Sequence, residues 1–296
     1  MLVTMKEILD RASKENYGVA APNIYSELDL RAYIEAAEEL KAPLIIDFIY
    51  GANPDIKIIG QMVKKLADES SVPIALNLDH GGPKVEAIAA IQAGFTSVMV
   101  DRSSLPFDQN VKEVKEIVDI AHEVGVSVEA ELGHVGSASN YENDRDAALT
   151  KPEDAVRFIK ETGVDCLAVA IGTAHGAYPK GFTPEIDFER LTEIKKATNN
   201  FPLVLHGSSG TKVEDLRKVC TLGINKINIC NDLCRAAADT LQSTDLSGGK
   251  AYDTYSVLRT AIKEKLKEMI KVYGSDGKAW TKPSAGILSG TKSMAE

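Results

Sequence analysis

Val72-Pro73-Ile74-Ala75-Leu76-Asn77-Leu78-Asp79-His80-Gly81 is a short apolar run that ends in polar residues and a glycine. A run of that length and composition reads as a strand buried on both faces, as in a parallel sheet, and Asp-His-Gly reads as its exit into a loop. The same ending recurs in Cys166-Leu167-Ala168-Val169-Ala170-Ile171-Gly172-Thr173-Ala174-His175-Gly176 and in Phe201-Pro202-Leu203-Val204-Leu205-His206-Gly207. Three of the five histidines therefore stand before glycine at the carboxyl end of an apolar run.

Working outward, strand patterns are expected over 18–24, 43–48, 73–79, 97–101, 126–132, 166–172, 202–206 and 226–230. Amphipathic, charge-studded stretches lie between them: Leu28–Leu40, Lys57–Ala67, Val111–Val124, Pro152–Thr162, Phe188–Thr198 and Val213–Leu222. Eight such units closing on themselves make a TIM (β/α)8 barrel. It is expected as one domain over residues 1–296, with a long helical C-terminal extension over about 243–296. The rival, an open doubly wound sheet, lacks a G-x-G-x-x-G after the first strand. A helix over 3–15 would cap the barrel floor. A final helix over about 253–273 carries Leu258, Ile262, Leu266, Met269 and Ile270 on one face, which would pack on the barrel or on a second subunit.

Lys and Arg number 34 against 43 Asp and Glu, for a net charge of −9. That balance repels nucleic acid and anionic membrane surfaces, yet a small anionic substrate stays possible, because a metal or local dipoles outweigh a diffuse field. The four cysteines, Cys166, Cys220, Cys230 and Cys234, lack the spacing of a disulfide framework and read as free thiols. Cys230 and Cys234 have a C-x₃-C spacing, without the second pair that a four-ligand metal site needs. The first residues have no apolar signal core and no stretch approaches the length of a membrane span, so a cytoplasmic, soluble protein is expected.

In a barrel of this type active sites lie at the carboxyl ends of the strands. All three His-Gly pairs fall there, with Asn23, Asp79, Asp101, Glu129, Glu131, Asn228 and Asn231. His80, His175 and His206 can converge on one divalent cation, since three histidines with an open fourth position are a standard set for catalytic zinc; Co²⁺, Mn²⁺ and Fe²⁺ accept the same donors. A histidine alone at a strand end has a structural role more often; three in the same local context point to a metal site. Gly81, Gly176, Gly207 and Gly210 suit close approach of the backbone to a ligand or a positive φ. Gly207-Ser208-Ser209-Gly210, before a helix starting near Lys212, stands where barrels commonly hold phosphate. His122 reads as a surface residue in mid-helix and His134 as a loop residue near the site.

The chain resembles the class II, zinc-dependent fructose-bisphosphate and tagatose-bisphosphate aldolases over nearly its whole length. The likeness is carried by Leu78-Asp79-His80-Gly81, Gly94-Phe95-Thr96-Ser97-Val98-Met99-Val100-Asp101, Leu105-Pro106-Phe107, Val128-Glu129-Ala130-Glu131-Leu132-Gly133, Gly172-Thr173-Ala174-His175-Gly176, Leu203-Val204-Leu205-His206-Gly207 and Lys226-Ile227-Asn228-Ile229. The resemblance implies that His80, His175 and His206 bind Zn²⁺, that Asp101 and Glu131 line the metal region, and that Asp79 is the acid/base on the C4 hydroxyl. It also implies that Asn228 contacts the dihydroxyacetone-phosphate part. Glu131 is open between alternate ligand and supporting partner, and Glu129 between core ion pair and site. A homodimer or homotetramer is expected.

Departures from the family pattern cluster on groups that hold phosphate and move the triose proton. The loop after the fifth strand reads Gly136-Ser137-Ala138-Ser139-Asn140 where the family has a Gly-Gly-x-Glu-Asp-like segment, and Glu142 is the nearest replacement acid. Cys230-Asn231 replaces the usual phosphate-gripping pair, Ile49 a serine, and Arg102 a glycine. Pro179 stands at a loop lysine position with Lys180 one place later. Arg102 would grip an anionic group or form a surface ion pair. The expected substrate-binding set is thus Asn23, Arg102, Gly176, Lys180, Gly207, Ser208, Ser209, Asn228 and Asn231, with Asp79 and Glu142 as catalytic groups. The expected activity is metal-dependent aldol cleavage of a small anionic ketose or ketose phosphate. The alternatives are a ketose epimerase working by the same bond cleavage and a non-catalytic sugar-binding barrel.

Overall fold

Eight parallel strands form one sheet: β1 (Val19–Pro22), β2 (Leu44–Ile49), β3 (Ile74–Gly81), β4 (Ser97–Val100), β5 (Ser127–Leu132), β6 (Cys166–Val169), β7 (Leu203–Leu205) and β8 (Ile224–Ile229). The computed structural model describes residues 1–53, 55–135, 149–176 and 183–281. Each strand pairs in parallel with the next from β2 to β8, and β8 pairs back onto β1 through Val19 beside Lys226 and Pro22 beside Ile229. The remaining seam, between β1 and β2, is drawn together by an Asn23–Asp47 bridge and by Ile24 N–H donating to the Asp47 carbonyl at 2.8 Å. The result is a nearly closed (β/α)8 barrel, as the alternation implied.

Helices follow the strands: α2 (Glu27–Leu40), α3 (Ile56–Glu69), α4 (Lys84–Gln92), α5 (Phe107–Glu123), α6 (Pro152–Thr162), α7 (Phe188–Ala197), α8 (Val213–Leu222) and α9 (Asn231–Ser243). Before them, α1 (Met5–Glu15) starts in a capping box between Thr4 and Glu7. Side chains alternate along each strand, and this divides the core in two. Ile46, Phe48, Leu76, Leu78, Val128, Ala130 and Ile227 face outward into the shell between sheet and helices. Val19, Ala21, Ile45, Ala75, Cys166, Ala168 and Val204 face inward, and Ile8, Leu9 and Ala12 of α1 plug the floor against them. Above that apolar plug the inward positions turn polar. Asp47, Asn77, Glu129 and Lys226 are wholly buried there, and Asp79 and Glu131 follow two positions further along their strands.

Two of the helices that the eightfold alternation implies, α4 and α9, had no bounds set by the sequence pattern. The second matters, since 231–243 belongs to the barrel's eighth unit and the C-terminal extension begins only after it. There Gly248–Asp253 forms a 3₁₀ turn that leads into α10 (Thr254–Tyr273). Leu266, Met269 and Ile270 are buried, whereas Leu258 and Ile262 are only partly so. The helix lies on α2 and α9, fastened to α2 by Lys263–Glu39 at 2.8 Å and Lys267–Glu39 at 2.7 Å. Its apolar face thus packs on the barrel. Among the described residues no helix is long and apolar enough to cross a membrane.

Candidate active site

The end of β3 is where the backbone departs most from a regular strand. Register with β4 shifts between Leu78 and Gly81, and His80 takes φ of 50° in the left-handed region. For a side chain with a Cβ that costs about 1–2 kcal/mol, which the surrounding contacts must offset. Gly81 is needed beside it, because a Cβ there would meet the Met99 carbonyl oxygen at 2.4 Å. The turn aims the His80 ring across the barrel mouth at His175 and His206, with ring centres 4.7 and 4.6 Å away. Gly207, with φ of 67°, lies so near Ala174 that a Cβ would meet its carbonyl oxygen at 2.5 Å, so the two loops that bear His175 and His206 interlock.

One ligand atom from each of His80, Glu131, His175 and His206 falls within 4.8 Å of the others. The outward ring nitrogens are already taken: His80 Nδ1 lies 2.9 Å from Asp101 Oδ2 and His206 Nε2 lies 2.9 Å from Glu129 Oε1. A carboxylate on one ring nitrogen fixes the tautomer and leaves the other as a lone pair, which is how metal-binding histidines are usually supported. The inward nitrogens, His80 Nε2 and His206 Nδ1, are 2.9 Å apart. Beside them His175 Nε2 and Glu131 Oε2 are buried with no hydrogen-bond partner among the described residues. Unpaired buried acceptors are costly, and a divalent cation would satisfy all four at once. These residues therefore fit such an ion.

The charge balance agrees. Asp47, Glu129 and Asp79 surround Lys226, which is fully buried and holds Asp47 Oδ2 and Glu129 Oε2 at 3.0 Å each, while Asp101 and Glu131 act on His80. Burial and the neighbouring Asp101 charge push the Glu131 carboxyl up to about 8. Burial works against a charged His80, but its bond to Asp101 and the charges of Asp79 and Glu131 prevail and raise it to about 9. His175 is driven the other way, to about 4, by burial and by the His80 charge. In the ion-free chain the excess negative charge is thus met by protons on His80 and Glu131, and a bound cation displaces them.

Asp79 is buried beside this cluster without joining it. Asn23 Nδ2 donates to its Oδ2 at 2.9 Å and Asn228 Nδ2 to its Oδ1 at 3.0 Å. Burial opposes its charge, yet His80, Lys226 and His206 hold the carboxyl below its ordinary value. Lys226 Nζ also donates to Asn228 Oδ1 at 2.7 Å, so the buried lysine reaches Asp79 through Asn228 and His206 through Glu129. A pocket of about 200 Å³ opens above, lined by Asn23, Ile49, Asp79, His80, His175, Gly176, Gly207, Ser208, Ser209, Asn228, Cys230 and Asn231.

Most of the expected site residues come together here, but some are placed otherwise. Asp101 supports His80 and is itself held by Ser103, whose hydroxyl donates to Oδ1 at 2.8 Å and lies 2.9 Å from His134 Nδ1. Arg102 turns away: its Nε donates to Glu113 at 2.6 Å and its Nη1 to the Asp101 carbonyl at 2.8 Å, the ion pair that was the alternative to an anion grip. Ser208 donates its hydroxyl to the Asn228 carbonyl at 2.6 Å, which leaves Ser209 the freer of the two serines. His122 pairs with Asp165 at 2.8 Å, away from the barrel mouth. Glu142 and Lys180 lie outside the described residues. Sequence reasoning missed Asp47, Asn77 and Lys226, and the available signal was a polar residue inside an otherwise apolar strand.

The family model for class-II fructose-bisphosphate aldolase matches residues 3–278. A fructose-bisphosphate aldolase of Thermus caldophilus is 41% identical over 306 residues, an alignment that covers 94% of this chain and all of the relative. The crystal structure of the YdjI aldolase from Escherichia coli K12 superposes with a TM-score of 0.84 at 35% identity, covering 95% of this chain and all of that one. A fructose-bisphosphate aldolase structure from Campylobacter jejuni shares the fold, with a TM-score of 0.80 at 21% identity over 94% of this chain and 97% of the other. With a match of that extent around a His/Glu cluster at the mouth of a (β/α)8 barrel, the chain belongs to the class II fructose-bisphosphate aldolase family, a family of metal-dependent lyases.

Proposed function

We propose that the chain reversibly cleaves a ketose or ketose phosphate between C3 and C4, releasing a triose or triose phosphate and an aldehyde. The observation that carries this reading is the gathering of three inward-facing imidazole nitrogens and Glu131 Oε2 beside a charged, rigidly held Asp79. His80, His175 and His206 would hold the cation, Zn²⁺ in first place, with Glu131 as an alternate donor; Co²⁺, Mn²⁺ and Fe²⁺ suit the same set. When bound, the cation supplies Lewis-acid stabilisation of the negative charge that develops on the ketose fragment as the bond breaks.

Asp79 Oδ1 and Oδ2 are fixed by two amides, and its depressed pKa keeps it a carboxylate at neutral pH. In cleavage it takes the C4 hydroxyl proton as that carbon becomes the aldehyde, and in condensation it returns the proton. Asn228 and Asn23 hold the carboxylate and offer their remaining polar atoms to substrate hydroxyls. The backbone at Gly176 and Gly207, with Ser209 and Asn231 at the pocket wall, forms the anion-holding side. We assign exchange of the triose C–H proton to Glu142, and an added grip on the anion to Lys180.

The departures at Cys230, Asn231, Ile49 and the loop over 136–140 argue that the preferred substrate differs from fructose 1,6-bisphosphate. In a panel of ketoses and ketose phosphates assayed by aldehyde release, one substrate should yield a triose. Fructose 1,6-bisphosphate should fall below a kcat/KM of roughly 10⁴ M⁻¹s⁻¹. Glu142→Ala should depress proton exchange in the triose product while sparing metal binding. A new ketose formed without aldehyde release would make the protein an epimerase, and saturable binding without conversion would make it a sugar-binding barrel. Efficient turnover of fructose 1,6-bisphosphate would show that the departures leave the substrate unchanged.

A further inference from the structure

Of the four cysteines, two are sealed in the core, Cys230 lines the pocket and Cys234 is exposed on the helix that follows. Cys166 faces the barrel interior and Cys220 the outer shell, and burial pushes both thiols up, that of Cys220 to about 12. Neither offers a thiolate to solvent. Cys230 is different: it caps α9, lines the pocket beside Asn228 and Asn231, and its Sγ lies 3.1 Å from the Tyr25 hydroxyl. Cys234 is exposed one turn further along, its backbone N–H donating to the Cys230 carbonyl at 3.1 Å. Four residues of helical rise separate the two Cα atoms by about 6 Å, inside the range that a disulfide spans.

We infer that Cys230 and Cys234 form an oxidant-reactive dithiol at the rim of the pocket, which a hydroperoxide converts into an internal disulfide that lowers turnover. With Cys230 one turn away, the Cys234 thiol is lowered to about 7 despite partial burial, and it is the exposed one of the two. The accessible Cys234 is therefore the attacking sulfur, since the thiolate is the nucleophile. Its thiolate takes the distal oxygen of the hydroperoxide, and the O–O bond breaks to leave a sulfenic acid and an alkoxide or hydroxide that water protonates. Cys230 Sγ then attacks the sulfenic sulfur, its proton leaves with the hydroxyl as water, and the S–S bond forms. Two electrons pass from the two thiols to the peroxide. The bond draws Cys230 Sγ away from Tyr25 and ties the pocket wall to the first turn of α9.

The test treats the full chain with hydrogen peroxide and reads free thiols, peptide masses and turnover. In the denatured chain the thiols should fall from four to two, with the peptide spanning 227–235 lighter by two hydrogens. Turnover of the panel substrate should drop by about tenfold to 10²-fold, as small displacements at a reacting site do, and dithiothreitol should restore it. Cys234→Ser, which leaves the pocket wall intact, should keep its basal rate and lose the reversible step. A sulfinic acid without the S–S bond, a bond between two chains, or a disulfide that leaves turnover unchanged would overturn the inference. Only the turnover reading rests on the proposed aldolase activity. If the reduced chain cleaves no ketose, that activity has failed, while thiol count and mass still decide whether the dithiol forms.

Discussion

Asp79→Ala is expected to slow carbon–carbon cleavage by about 10²–10⁴-fold, the usual worth of a positioned acid/base, while the metal stays bound. Asp79 lies next to His80 in sequence, yet its oxygens are engaged by Asn23 and Asn228, and its nearest approach to His80 Nε2 is 3.9 Å. The carboxylates that hold the histidine rings are Asp101 and Glu129, both of which remain in the variant. The checking measurement pairs steady-state kcat and KM with elemental analysis of the same sample. Loss of metal with no further chemical defect would instead make Asp79 a support for His80.

Lys226→Met should destabilise the chain by about 3–5 kcal/mol, the cost of leaving a buried charge without its partner. Lys226, Asp47 and Glu129 are all wholly buried, and burial works against the ammonium until Asp47, Glu129 and Asp79 outweigh it. Without the lysine two carboxylates face each other in a barrel interior that water does not reach. Denaturant unfolding should show the loss, and Asp47→Asn in the same chain should recover part of it by removing one of the stranded charges. A change below about 1 kcal/mol, the range of an exposed pair, would mean that the interior relaxes around the gap or admits water.

The barrel was legible because its strands are buried on both faces and so read as apolar runs, and because each His-Gly marks a strand exit. The ligand histidines followed from that recurrence. The buried polar layer was not legible in the same way. Asp47, Asn77, Glu129 and Lys226 come from four strands, and only closure of the barrel makes them neighbours. From the sequence each reads as an interruption of an apolar strand. Arg102 shows the converse. Its place after Asp101 suggested an anion grip, but Glu113 on α5 lies within reach and takes the guanidinium. The bounds of α4 were hard to read because its interior, Val85 through Ile91, is mostly small and apolar with little polar contrast.

The cation is the claim on which the rest depends, and elemental analysis of the purified chain, before and after chelation, tests it most directly. About one divalent transition-metal ion per chain is expected, as three histidines with an open position would hold. Chelation should abolish cleavage, readdition of Zn²⁺ should restore it, and His175→Ala, which removes a buried nitrogen with no hydrogen-bond partner among the described residues, should bind no ion. Full activity in a chain shown to be free of metal would contradict the account.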